Sequence, residues 1–256
     1  MSAVLDATGI SVSFGGVHAV VDVDLDVREG QLVGLIGPNG AGKTTFIDAI
    51  SGFVRCRGRV ELDGRDLSGR SPHVRARLGL ARTWQSIELF DDLSVRENLG
   101  VASYRPSLRS TVWEVLSTPV RRTAAADAAL ELLGLESLAD AMPSELSQAQ
   151  RKRVGVARAL AAEPRLICLD EPAAGLDATE SSELAEHLRQ VVDAGTSMLL
   201  VDHDMGLVLG ISDHVVVLAF GKVIASGAPE VVRRDARVIE AYLGSAAAGR
   251  EVVEAL

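Results

Sequence analysis

Residues 37–45 read Gly37-Pro38-Asn39-Gly40-Ala41-Gly42-Lys43-Thr44-Thr45, which fits the pattern G-x-x-x-x-G-K-[ST]. An apolar run, Leu32 to Ile36, leads into it, and a helix-forming segment, Thr45 to Ser51, follows it. A phosphate group requires that arrangement. Glycines let successive backbone N–H groups turn toward the anion, and the N-terminus of the following helix adds partial positive charge. Lys43 has the length to reach β- and γ-phosphate oxygens, and the Thr44 hydroxyl can ligate magnesium. Lysine is otherwise scarce, with only Lys152 and Lys222 besides Lys43 among 26 basic residues. The loop therefore predicts nucleotide binding, with Asn39, Gly40, Ala41, Gly42, Lys43, Thr44 and Thr45 lining the phosphates.

Outward from the loop, short apolar runs alternate with longer helical patterns, as in an α/β fold with a largely parallel sheet. Leu166 to Leu169, Met198 to Val201 and Val215 to Ala219 read as further strands, each ending in polar residues or glycine. Val4 to Val27 alternates apolar and polar residues around Gly15-Gly16, which predicts an antiparallel hairpin or meander. From about residue 86 to 162 the texture is helical. Ser94 with Glu97 makes a capping box, and Ala124 to Leu133 is an amphipathic Ala/Leu run. The segment after Gly244 is rich in small residues.

The second chemical signal is the apolar run Leu166-Ile167-Cys168-Leu169 ending in Asp170-Glu171. Delivering two carboxylates from a buried strand is costly unless a cation or a reaction uses them. Asp170 suits magnesium, directly or through water. Glu171 suits a general base that polarises water toward a γ-phosphate.

Composition limits the alternatives. The 256 residues are 47 % hydrophobic and carry a net charge of −9, which excludes a mainly disordered chain and disfavours nucleic acid as the principal partner. Cys56 and Cys168 are too few and too far apart for a disulfide framework or a metal knuckle. No apolar run approaches the roughly 18 residues that span a bilayer, and no secretory signal is visible at the start. The expectation is a cytosolic, soluble chain.

The phosphate loop, Gln85, Leu146-Ser147-x-x-Gln150, Leu169-Asp170-Glu171-Pro172, Gly175-Leu176-Asp177 and His203 occur in the order, and at the spacings, of ATP-binding-cassette (ABC) transporter ATPases. The chain resembles that family from about residue 4 to 244. The resemblance implies a P-loop NTPase core with a mainly parallel sheet, an N-terminal antiparallel β part and an inserted helical subdomain. The corresponding boundaries are 1–85 with 163–244 for the core, 86–162 for the helical subdomain and 245–256 for the tail. It implies ATP and Mg2+ as ligands, Gln85 sensing the metal and the attacking water, and His203 contacting the γ-phosphate. It also implies that Asp177 communicates across a dimer and that Phe14, 29 residues before Lys43, stacks on adenine, although Val20 could cover the base instead.

One departure stands out. The family's signature loop, commonly Leu-Ser-Gly-Gly-Gln, here reads Leu146-Ser147-Gln148-Ala149-Gln150. Ser147 and Gln150 still make an N-cap pattern, so the helix dipole can face a phosphate held by a second ATPase subunit. The lost glycines add bulk where the backbone must approach closely. A slower site, or a nucleotide-binding subunit that hardly hydrolyses, is the alternative this suggests.

Details within the motifs (Arg82-Thr83-Trp84-Gln85, Pro172-Ala173-Ala174-Gly175, His203-Asp204-Met205, Ala241-Tyr242-Leu243-Gly244) resemble branched-chain amino-acid importers. That group also serves urea and amides. The resemblance implies transmembrane permease subunits as separate chains, a second ATPase subunit in a homo- or heterodimer, and an extracytoplasmic substrate-binding protein acting indirectly. It also implies a place at the cytoplasmic face of the plasma membrane and no nucleic acid partner. Docking to the permeases is expected near residues 86–105.

Overall fold

The computed structural model describes residues 3–83, 88–103 and 123–243. By internal contacts the chain divides into two compact units, Met1–Gln85 with Arg165–Leu256, and Ser86–Pro164.

The first unit opens with β1 (Ala3–Phe14) and β2 (Val17–Arg28), antiparallel about Gly15-Gly16. In β2 the buried Val23, Leu25 and Val27 alternate with Asp22, Asp24 and Asp26. That period of two turns one face to a core and the other to water. β3 (Leu32–Ile36) is buried throughout and runs through the phosphate loop into α1 (Lys43–Ser51). β4 (Arg57–Leu62), β5 (Arg65–Asp66), α2 (Pro72–Arg77) and β6 (Leu80–Arg82) follow.

The second unit is helical, with α3 (Val95–Ser103), α4 (Ala124–Leu132) and α5 (Gln148–Leu160). Their starts are the ones the side chains dictate. Glu97 accepts from the Ser94 N–H at 2.8 Å, Thr123 Oγ1 accepts from the Ala126 N–H at 3.1 Å, and Ser147 Oγ accepts from the Gln150 N–H at 3.2 Å. Asn98, fully buried, donates to the carbonyls of Phe90, Leu93 and Ser94 and accepts from the Phe90 N–H. It thereby satisfies the chain entering α3.

The chain then returns to the first unit through β7 (Leu166–Asp170), α6 (Ala178–Asp193), β8 (Ser197–Val201), α7 (Met205–Ile211), β9 (His214–Ala219), β10 (Lys222–Gly227), α8 (Pro229–Val232) and α9 (Ala236–Leu243). Two sheets result, a four-stranded one in the order β2-β1-β4-β5 and a six-stranded one in the order β10-β9-β3-β8-β7-β6. The larger sheet is parallel except for β10. Helices cover its strands, so β3, β7 and β8 are continuous apolar runs rather than alternating ones.

A single core cluster joins the inner face of the antiparallel sheet (Leu5, Ile10, Val23), α1 (Phe46, Ile47, Ile50) and the larger sheet (Leu35, Leu166, Leu199). Each such large side chain contributes about 2 kcal/mol through burial. The helix that follows the phosphate loop is thus pinned by packing along its whole apolar side. At its far end the buried Arg75 donates through Nη1 to the Ala49 carbonyl at 3.1 Å and the Ile50 carbonyl at 2.6 Å. The Ala49 carbonyl also accepts from the Gly52 N–H at 3.1 Å, so Arg75 adds to the backbone bonding that closes the helix.

Candidate functional site

Register brings the chemistry to one place. Leu35 of β3 pairs with Val201 of β8, and Val201 pairs with Asp170 of β7. These three residues stand in one row across neighbouring parallel strands, about 10 Å end to end. The three strands therefore leave the sheet at the same edge. β3 exits at Gly37 into the phosphate loop, β7 exits at Glu171, and β8 exits at Asp202-His203. Loops at the carboxyl edge of such a sheet are where open α/β folds place ligands.

The phosphate loop is shaped by its glycines. At Gly42, φ is +104°, and a Cβ there would collide with the Ala19 carbonyl oxygen. At Gly37, φ is +151°, and a Cβ would strike the Leu218 carbonyl oxygen of β9. Both positions need the absence of a side chain. Gly42 is the N-cap of α1 and supplies no side-chain acceptor, so the first N–H groups of the helix stay available to an anion. Asn39, Gly40 and Thr44 are exposed, Gly42 and Thr45 half-buried, and Ala41 buried. Lys43 is buried, and its Nζ donates to the carbonyls of Gly37 at 2.6 Å and Pro38 at 3.2 Å. Burial pushes its ammonium below the usual lysine range, while Glu171, Asp170 and Asp202 pull it back up. The Tyr242 hydroxyl of α9 is bonded to the Gly37 backbone, and burial holds its pKa far above the ordinary phenol range.

Opposite the lysine lies the acidic edge. Asp170 is buried, and its Oδ2 accepts from Arg82 Nη2 at 3.1 Å. Burial raises its carboxyl pKa and Arg82 lowers it. Glu171 is half-buried at φ +50°, a left-handed backbone rare for a side chain of this size, and its N–H donates to the Val201 carbonyl at 2.7 Å. Strain of that kind persists only where the surroundings hold it, and it recurs at sites of chemistry. His203 is half exposed, with Nδ1 3.4 Å from Asp202 Oδ1.

Sequence reasoning passed over Asp202, Arg82 and Asp48. Asp202 is wholly buried and accepts from the N–H groups of Ala173, His203 and Asp204 at 3.0, 2.8 and 3.1 Å. It ties the loop after Glu171 to the loop bearing His203. A second acid beside His203 was the one visible signal.

The other expected residues fall as follows. Phe14, at the β1–β2 turn, is 53 % exposed, whereas Val20 is 1 % exposed and packed in the core beside Gly42. Of the two, only Phe14 exposes its side chain to solvent. Asp177 is the N-cap of α6, accepting from the Glu180 N–H at 2.9 Å. Ser147 and Gln150 cap α5 in the helical unit, with the Gln148 side chain exposed and the Ala149 methyl buried. Gln85 lies outside the described residues.

Among the described residues, no group of three His, Cys, Asp or Glu side chains is placed to hold a metal. The donor set still fits magnesium, which keeps water and phosphate oxygens and needs only one or two protein oxygens. Asp170 Oδ1 and the Thr44 hydroxyl are suited to supply them.

Comparison with known proteins agrees with this geometry. The ABC transporter family model matches residues 20–174, and that of the branched-chain amino acid ATP-binding cassette transporter matches residues 222–248. The high-affinity branched-chain amino acid transport ATP-binding protein LivG of Salmonella typhimurium is 40 % identical over 250 residues, covering 94 % of this chain and 98 % of its own. The corresponding BraF of Pseudomonas aeruginosa is 38 % identical over 251 residues, covering 95 % and 98 %. A solved ATP-binding cassette of an ABC transporter, in its ADP conformation, matches with a TM-score of 0.81 at 30 % identity over 95 % of this chain and 100 % of that one. With its phosphate loop, acidic strand end and two-sheet core in place, and a family model spanning well over half its length, the chain belongs to the ABC transporter family as an ATP-binding cassette.

Proposed function

We propose that the chain is the ATP-hydrolysing subunit of an importer for branched-chain or related amino acids, acting at the cytoplasmic face of the plasma membrane through separate permease subunits. The observation that carries the hydrolytic reading is the row Leu35–Val201–Asp170, which sets the loops bearing Lys43, Glu171 and His203 at one sheet edge. The cargo reading is supported by the names of the relatives and by the match over residues 222–248.

Each side chain then has a task. The loop N–H groups from Asn39 to Thr45 cradle the phosphates, and Lys43 turns its Nζ from the loop carbonyls to the β- and γ-phosphate oxygens. Asp170 and Thr44, with Gln85, would hold magnesium, which would supply neutralisation of the phosphate charge. Glu171 accepts the proton of the attacking water. His203 donates to the γ-phosphate. Phe14 supports the adenine ring.

Two cassettes close head to tail on two nucleotides. The N-terminus of α5 at Ser147 and Gln150 meets the phosphate held by the second subunit, and Asp177 lies across the same interface. Closure moves the permeases through the segment near residues 86–105, and an extracytoplasmic binding protein delivers the cargo.

The test is reconstitution with the permeases in vesicles. Binding protein loaded with a branched-chain amino acid should raise ATP turnover several-fold and drive accumulation of the cargo. Turnover indifferent to every loaded binding protein would overturn the importer reading.

A second reading, a weakly hydrolytic subunit, is favoured by Gln148. Its side chain is exposed in the first turn of α5, while the neighbouring Ala149 methyl packs inward. Gln148→Gly is therefore expected to raise ATP turnover several-fold at a stability cost below about 1 kcal/mol, measured by phosphate release and thermal melting. Unchanged turnover would retire this reading.

A further inference from the structure

Arg82 ends β6, beside Cys168 of β7, and its side chain is 5 % exposed. Its guanidinium is gripped from two elements. Nη1 donates to Asp48 Oδ1 of α1 at 2.5 Å, and Nη2 donates to Asp170 Oδ2 of β7 at 3.1 Å. The Phe53 ring lies under it, with its centre 5.6 Å from the guanidinium carbon. One planar fork thus joins the helix that begins with Lys43 and Thr44 to the strand end that carries Asp170.

Stability is a poor explanation for this arrangement. Desolvating a guanidinium and a carboxylate costs about as much as their attraction returns, and apolar residues of similar volume serve as well or better. Geometry is a better one. With Oδ2 occupied by Nη2, the plane of the Asp170 carboxylate is set and Oδ1 is the oxygen left for a cation. With Nη1 anchored on Asp48, the same fork fixes the separation of Asp170 from the start of α1, where the Thr44 hydroxyl lies. Groups that hydrogen-bond a ligating carboxylate orient it and tune its affinity for metal.

We infer that Arg82 is a positioning residue for magnesium, holding the Asp170 carboxylate in register with Thr44 through its double grip on Asp48 and Asp170. The inference rests on the reading of Asp170 and Thr44 as the magnesium-holding pair. Lysine at this position keeps the charge but offers a single ammonium in place of the fork.

The experiment measures binding of a nonhydrolysable ATP analogue to the purified chain by calorimetry, once in EDTA and once across a magnesium titration. Arg82→Lys should raise the magnesium concentration at half-saturation about tenfold and change the metal-free affinity by less than about twofold. Asp48→Asn, which slackens the other end of the fork without touching Asp170, should shift magnesium half-saturation in the same direction by about threefold and covers the case in which Arg82→Lys does not fold. Equal losses with and without magnesium would reduce Arg82 to a structural role and overturn the inference. So would unchanged half-saturation in both variants. An unaltered chain that bound the analogue with no gain from magnesium would overturn the reading of Asp170 and Thr44, and this inference with it, before either variant was compared.

Discussion

Glu171→Gln is expected to lower ATP turnover at least about a hundredfold while leaving nucleotide affinity within about twofold. The substitution is nearly isosteric, and the left-handed backbone at this position, held by the N–H bond to the Val201 carbonyl, does not depend on the charge of the side chain. What is lost is the proton acceptor, and a positioned general base contributes about 10²- to 10⁴-fold. Steady-state phosphate release, set beside binding of a nonhydrolysable analogue, separates the two quantities. Turnover within tenfold of the unaltered chain would mean that Glu171 is not the base. Asp202 would not then take its place, because it is wholly buried and accepts from the N–H groups of Ala173, His203 and Asp204, which hold two loops together.

Lys43→Met is expected to weaken ATP binding by about a hundredfold, the loss of a charge-assisted hydrogen bond worth about 2 to 3 kcal/mol. Methionine keeps the length and volume of the stem and removes the ammonium. Burial already penalises that ammonium more than Glu171, Asp170 and Asp202 favour it, so the variant should melt no lower than the unaltered chain. That distinguishes ligand loss from misfolding. Arginine should not restore binding, since a planar fork does not fit a pocket built around a point charge folded back on the Gly37 and Pro38 carbonyls. Full affinity in the methionine variant would remove the phosphate role from Lys43.

The loop and its flanking elements were readable in the sequence because the physics there is local. Five apolar residues, a glycine pattern and a helix start determine one another within about fifteen positions. β3, β7, β8 and β9 were found within a residue at each end for the same reason, and so were the helix starts at Ser94 and Ser147 and the helical run from Ala124. The strands that went unread are short or charged. β4 reads Arg-Gly-Arg-Val-Glu-Leu and β6 is three residues long, so neither shows a period, and each is made a strand by its neighbours. The unread site residues share a different property. Arg82 meets Asp170 across 88 positions and Asp48 across 34, while Asp202 meets Ala173 across 29. A single charged residue carries no pattern, and nothing short of the sheet order reveals which strand ends will face it. Val20, the other candidate for covering the base, is packed in the core.

The buried arginine at the far end of α1 changes how a chain of net charge −9 can gather a polyanion. A molecule that acidic repels ATP at long range. Arg75 discharges the negative pole of α1 at Ala49 and Ile50, so the positive pole at the phosphate loop, about 14 Å away along the helix, acts without its opposing partner. Arg75 lies below the surface, where counterions do not reach. The uncompensated positive pole therefore adds to the backbone N–H groups and Lys43 at the phosphate loop, favouring an anion there against the repulsion of the chain's net negative charge.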